Sequence, residues 1–259
     1  MLALVISSAH CQLCDNSSPC QLAVVHRSKA KDMYTRLVER LTTTVDLPDY
    51  QITTRMLAAD AHYGLYASVR PIEFHRVFCS QLLDVVSRWV NQNAKGRLCI
   101  DTSPHKLDFC CGVDLGVYPQ WPHAVDFSAR FVVCVEYGSF EIADRRVNAI
   151  LGTDKLRSAL AIYIDTESRR AVTRAYGYTR YFTETQLYGN FSEAELVDVM
   201  SSADVGGAIA VEKETEFAYH DLTYEISSVG GTGKQRRPLQ LDISTLLANT
   251  YRIVYPSTS

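Results

Sequence analysis

Two carboxylates stand out in a chain of 259 residues. Glu136 closes the apolar run Phe131 to Val135 and is followed by Tyr137 and Gly138. Asp108 sits in an earlier strand-like run, Lys106 to Leu115. Acidic residues on neighbouring strands, one of them at the end of a buried strand, lie where open α/β sheets place their sites. A second constellation is near the N-terminus. Cys11, Cys14, Cys20 and His26 supply a Cys-x2-Cys pair, a third thiol and an imidazole. They make either a four-ligand zinc set, since thiolate and imidazole suit that ion, or a plain cysteine-containing loop. A third is the basic loop Val229 to Arg237, with Lys234, Arg236 and Arg237. It lacks the glycine spacing and the following Ser or Thr of a phosphate-binding loop. It reads as a solvated loop or as a contact for a phosphate backbone.

The elements around the carboxylates follow from periodicity. Phe131 to Val135 is apolar throughout, as in a strand buried on both faces. Residues 140 to 151 read as a helix with Ile142, Val147, Ile150 and Leu151 as its apolar positions. Ala159 to Ile164 is a second apolar run ending at Asp165. Two buried strands joined by a crossover helix form a βαβ unit, so these strands are expected to be parallel. Upstream, Pro71 opens a helix over 71–92 with a wide apolar face that includes Phe74, Phe78, Leu82, Val86 and Trp89. Strands are expected at 97–101 and 106–115, and a loop from Gly116 to Asp126. Ala171 to Phe182 alternates as a further strand. Residues 28–45 read as a helix, and residues 51 to 70 give no clear pattern. Near the C-terminus the pattern gives a strand at 238–243, a short helical turn at 244–248 and an edge strand at 251–255.

Composition limits the functions. Hydrophobic residues make up 47% and charged residues 21%, with a net charge of −3, which is a globular chain with a substantial core and no global basic field. Nucleic-acid binding would need a local patch. No apolar run approaches a membrane span, and the N-terminus has too short an apolar run for a signal peptide. Cys99, Cys110 and Cys134 lie in strand-like runs and are expected as reduced, buried thiols of an intracellular protein, cytoplasmic or nuclear.

The order helix, strand, strand, strand, helix, strand over residues 71 to 182 resembles the core of the PD-(D/E)XK, or restriction-endonuclease-like, superfamily. Glu136-Tyr137-Gly138-Ser139-Phe140-Glu141, followed by Asp144-Arg145-Arg146, is closest to the pattern of uncharacterised nuclease-like proteins abundant in fungi. Their third strand ends in Glu-Val-Gly-x-Ser-Glu and precedes a basic helix. The resemblance implies that Asp108 and Glu136 hold Mg²⁺ through hard oxygen ligands, with Glu73 as a third carboxylate. The metal would lower the pKa of a bound water and stabilise charge building on a phosphodiester. The family's lysine, two residues after the Glu, is Gly138 here. Arg145 or Arg146 could act one helical turn on, as charge clamps and not as bases, and Lys106 is another candidate.

The chain is thus expected to be a single α/β domain with a mixed central sheet and flanking helices. Residues 1–70 form an N-terminal decoration, 71–182 the nuclease-like core, and 183–259 C-terminal strands and a basic loop packed on it. Three function classes follow. One is an Mg²⁺-dependent nuclease, which the acidic pair favours. Another is a degenerate nuclease fold that binds protein or nucleic acid, which Gly138 and the acidic balance favour. The last is a structural or assembly protein that forms a homo-oligomer. The acidic residues also have simpler readings: Asp108 as a buried strand-end residue between cysteines, Glu136 as a carboxylate capping the next helix.

Overall fold

A computed structural model describes residues 20–26, 32–36, 38–39, 48–59, 62–93, 98–102, 113–119, 129–151, 158–176, 183–189, 191–192, 208–210 and 239–256. The fold is mixed α/β with two sheets. A small antiparallel sheet contains β1 (Cys20–His26), β2 (Tyr50–Ala59) and β3 (His62–Pro71), in the order β1-β3-β2. A seven-stranded sheet contains β4 (Leu98–Asp101), β5 (Leu115–Pro119), β6 (Phe131–Glu136), β7 (Ser158–Asp165), β8 (Arg170–Tyr176), β9 (Thr183–Tyr188) and β10 (Ala208–Ala210). Its strand order is β10-β9-β8-β7-β6-β5-β4. The helices include α1 (Ile72–Asn93), α2 (Phe140–Leu151) and α3 (Ile243–Val254), and residues 32–36 and 38–39 are also helical.

The large sheet is mostly antiparallel. β6 and β7 are parallel and in register from Phe131↔Ser158 to Glu136↔Tyr163, with α2 as their crossover. β10 is parallel to β9. The other pairings in this sheet are antiparallel.

β6 is buried along its whole length because both faces are covered. Phe131, Val133 and Val135 join one cluster with Leu160, Ile162 and Ile164 of β7, Phe74, Phe78 and Leu82 of α1, and Leu246 and Leu247 of α3. Val132 and Cys134 face the other way, with Ala143, Val147 and Ile150 of α2. The strand's period of two therefore sorts side chains between the α1/α3 layer and the α2 layer. A third, small cluster is built on Phe140, Val172 and Leu187.

Several expectations change. Gly116 to Pro119 is strand, not loop, because Leu115 and Val117 pair with Val133 and Phe131 and bury their side chains. Residues 239–242 form no strand, and 251–254 belong to a helix. Asp242 caps α3 by accepting from the Thr245 backbone N–H at 2.8 Å and its hydroxyl at 2.6 Å, as short polar side chains do at an N-cap. The spacing Ile243, Leu246, Leu247, Thr250 then lays one buried stripe inward, where Tyr251 meets Phe74 edge-on at 4.8 Å. The patternless stretch 51–70 is the β2–β3 hairpin, paired from Tyr50↔Pro71 to Ala59↔His62. Residues 103–112, the 152–157 connection and 211–238 lie outside the described residues, so the strand expected at 106–115 is described only from Val113 onward. Among the described residues, no helix is long and apolar enough to cross a membrane.

Candidate functional site

The sheet's register puts two carboxylates on one face. Glu136 is the last residue of β6, on the side that Val132 and Cys134 share with α2. Asp114 immediately precedes β5, and its backbone N–H donates to the Val133 carbonyl at 2.9 Å. Continuing the Leu115↔Val133 register sets Asp114 beside Cys134, one diagonal step from Glu136, a separation side chains can bridge. The Val135 backbone N–H donates to Asp114 Oδ2 at 2.7 Å, which fixes that carboxylate against the strand.

One arginine joins the two. Arg146 lies on the inner side of α2, and its side chain is 1% exposed. Its Nη1 donates to Glu136 Oε1 and to the Val135 carbonyl at 3.2 Å, while Nη2 is 3.4 Å from Asp114 Oδ2. The Asp114 and Glu136 side chains are only 8% and 3% exposed. Unpaired, charges so buried would be costly.

Further cations come from the small sheet. Gln51, Thr53 and Arg55 of β2 lie opposite Arg70, Ser68 and Tyr66 of β3, so these six share one face of the hairpin. That face is turned to the acidic pair. Arg55 Nε donates to Glu136 Oε1 at 3.0 Å, and Arg70 Nη1 is 3.8 Å from Asp114 Oδ1. Between them Thr53 and Ser68 join hydroxyls at 2.8 Å. α1 adds His75, whose Nε2 is 3.0 Å from Arg70 Nη1 and whose Nδ1 is 3.2 Å from the Tyr137 hydroxyl. Arg70 donates, so His75 Nε2 accepts, which makes the imidazole the neutral tautomer with its proton on Nδ1.

The electrostatics agree. Burial lowers the His75 pKa to about 4, against the pull of Asp114. Burial also pushes the Asp114 carboxyl up, but Arg146, then His75 in its protonated form at acid pH, and Arg55, together with the Val135 N–H, outweigh it and hold the carboxyl below its usual range. Burial, then the Asp114 charge, pushes the Cys79 thiol up, so Cys79, 3.6 Å from His75 Nε2, is no nucleophile. Three guanidinium groups around two carboxylates leave one positive charge in excess.

The residues expected from sequence are distributed as follows. Glu136 is at the centre, and Arg146 is the clamp upon it. Arg145 points outward, paired with Glu141 at 2.5 Å and donating to the Tyr66 hydroxyl at 3.3 Å. Glu73 is exposed at the start of α1 and pairs with Arg76 at 2.5 Å, so it is no third ligand; the α1 residue at the site is His75. The acidic partner of Glu136 is Asp114; Asp108 and Lys106 lie outside the described residues, as do Lys234, Arg236 and Arg237. Glu136 does not cap α2. Ser139 does, accepting from the Glu141 N–H at 3.1 Å. Cys134 is buried and in no disulfide, Cys99 is exposed, and Cys110 is not described. Cys20 and His26 stand at the two ends of β1. Six strand steps separate their Cα atoms by roughly 20 Å, so an extended β1 does not bring both to one tetrahedral Zn²⁺. Cys11 and Cys14 are not described.

The acidic pair does not fit Mg²⁺ as it stands. Glu136 Oε1 receives two arginines, and Arg146 fills the bridging position where a cation would take an oxygen from each carboxylate. Among the described residues no group of three or more His, Cys, Asp and Glu side chains is set to hold a metal. No family model, no curated protein and no solved structure matches the chain.

Proposed function

We propose that the chain is a nuclease-like α/β domain that binds nucleic acid and in which arginine, not a metal ion, balances the acidic pair. The observation that carries this reading is Arg146, buried and bonded to both Asp114 and Glu136. The element order α1, β4, β5, β6, α2, β7, with β6 parallel to β7, supports the resemblance to the restriction-endonuclease-like core. Gly138 in place of the family's lysine, together with an arginine that holds its proton, argues against hydrolysis. The local excess of positive charge supports a phosphate-bearing partner.

One observation favours a second reading, Mg²⁺-dependent cleavage: two carboxylates from adjacent strands converge on one point. Two measurements on the same samples decide. Anisotropy of labelled DNA and RNA oligonucleotides is expected to show binding that weakens as salt rises. Calorimetric titration with Mg²⁺ and Mn²⁺ is expected to show no site. Metal binding that Asp114→Asn/Glu136→Gln abolishes, with cleavage lost in parallel, would make the protein an enzyme. An absence of oligonucleotide binding at low salt would end the nucleic-acid reading.

A further inference from the structure

Among the described residues, the hairpin β2–β3 faces the acidic pair with charged and polar side chains. None of the three hydrophobic clusters described above contains a residue of β1, β2 or β3. The hairpin has its own apolar face, where Met56, Leu65 and Ala67 are buried. That face points away from Arg55, on the side where Tyr34 donates to the Thr54 carbonyl at 3.2 Å. Among the described residues, the ion pairs and side-chain hydrogen bonds that tie β2 and β3 to the large sheet and its helices include Arg55 to Glu136, Arg70 to Asp114 and His75, and Arg145 to Tyr66. Contacts of this kind weaken with salt, unlike apolar ones.

The charge pattern says what the face fits. Without the hairpin, Arg146 faces two carboxylates and the site is negative by one; Arg55 and Arg70 reverse that sign. Both arginines are partly open to solvent, at 16% and 22%, whereas Arg146 is not. Their cross-strand neighbours Gln51 and Tyr66, with Arg145 beside Tyr66, carry further donors. A row of donors on an extended hairpin suits the regularly spaced oxygens of a phosphate backbone.

We infer that the inner face of β2–β3, with Arg55, Tyr66 and Arg70, is a nucleic-acid phosphate surface that Asp114 and Glu136 occupy from within, so that the small sheet is a charge-held cover which the backbone of a nucleic acid competes to open. The inference rests on the nucleic-acid reading for its partner, but the cover stands on geometry alone.

The test uses the full chain and reads two things. Amide hydrogen exchange is followed at β2–β3 and at β6–β7 from low salt to about 0.5 M, where salt screens these charges once the face opens to solvent. Exchange at β2–β3 is expected to rise roughly tenfold while β6–β7 stays protected, the mark of a unit that opens by itself. Arg55→Gln/Arg70→Gln should give the open behaviour already at low salt. Binding of a labelled DNA duplex is then compared between variants that keep β6–β7 protected. Glu136→Gln removes the internal competitor and should tighten binding several-fold, whereas Arg55→Gln/Arg70→Gln should weaken it. A merely structural pair would not give opposite signs. Exchange at β2–β3 that ignores salt, or that rises only together with β6–β7, overturns the cover. Exchange that responds to salt while no variant binds DNA keeps the cover and removes both this partner and the nucleic-acid reading. Binding that Glu136→Gln leaves unchanged overturns the competition.

Discussion

α2 carries charge to two places, and they are built differently. Asp144 reaches β8, and through Arg174 it is linked to β9. Arg174 donates to Asp144 Oδ1 at 2.9 Å and to Thr185 Oγ1 at 2.9 Å, and its guanidinium lies 4.7 Å from the centre of the Phe140 ring. The Tyr176 hydroxyl also donates to Asp144, and Asn148 donates to its other oxygen at 3.1 Å. One cation meets one anion, and neutral donors complete the set. Two residues along, Arg146 enters a set of three arginines, two carboxylates and a neutral histidine drawn from α1, α2, β2, β3 and the β5 and β6 strand ends. The first arrangement is what fixing a helix on a sheet requires. The second brings together more charge than packing needs, and buried charge beyond need is the usual sign of a site.

The largest effect should separate the two arginines. Arg146→Met leaves two nearly buried carboxylates facing each other, with only the partly exposed Arg55 and Arg70 to offset them. Breaking a buried pair in this way costs about 3–5 kcal/mol, measured by urea unfolding. Arg174→Met leaves Asp144 with Tyr176, Asn148 and partial exposure, so its cost should be nearer 2 kcal/mol, that of hydrogen bonds to a charged group. Equal losses would mean that the Arg146 set is only a second fold lock.

Histidine titration should act on one place only. The His75 pKa is lowered to about 4 by burial, while an unfolded histidine titrates near 6.5. Between these values the unfolded chain holds a proton that the folded chain does not, so His75 makes stability fall as pH drops from about 6.5 to 4. The full contribution is up to about 3 kcal/mol. Asp114, whose carboxyl is held low in the fold, acts at more acid pH: it contributes stability above its unfolded pKa, lost as pH falls through the folded value. In urea melts at stepped pH, His75→Gln should flatten the upper window and leave the lower one. The Arg174 set has no histidine, so Arg174→Met should leave the fall between about pH 6.5 and 4 as in the wild type. A profile that His75→Gln does not change would remove His75 from the account.

What the sequence could disclose follows the same division. The βαβ unit was legible because β6, α2 and β7 are continuous in the chain and their apolar periods are plain. Glu136 and Arg146 stood out within it, at a strand end and on a basic helix. Asp114 did not. Gly116 and Pro119 made the strand that follows it look like a loop, and Asp108 in the same expected run, 106–115, drew the assignment. The better signal was the alternation of Leu115 and Val117, which puts Asp114 and Glu136 on one face once β5 is aligned with β6. Arg55 was out of reach for a different reason. It meets Glu136 across 81 positions, through a hairpin whose polar and apolar faces are both mixed enough to hide its period. A contact between separate sheets leaves no trace in either segment's own pattern.

The smallest expected effect is at Glu73, and it is the sharpest control on where the site ends. Glu73 stands in the first turn of α1, two residues before His75, and the sequence offers it as a third carboxylate ligand. Its side chain is 56% exposed and pairs with Arg76 within the same turn. Exposed pairs of this kind are screened by water and salt. Glu73→Gln should therefore leave urea unfolding, the acid profile and oligonucleotide binding at wild-type values. His75 reaches the carboxylates because the helix turns it toward the sheet, and the same turn carries Glu73 away from them. If Glu73→Gln altered binding as strongly as Glu136→Gln, α1 would have to rotate in the bound state, and the boundary between site and surface drawn from Arg146 would move outward with it.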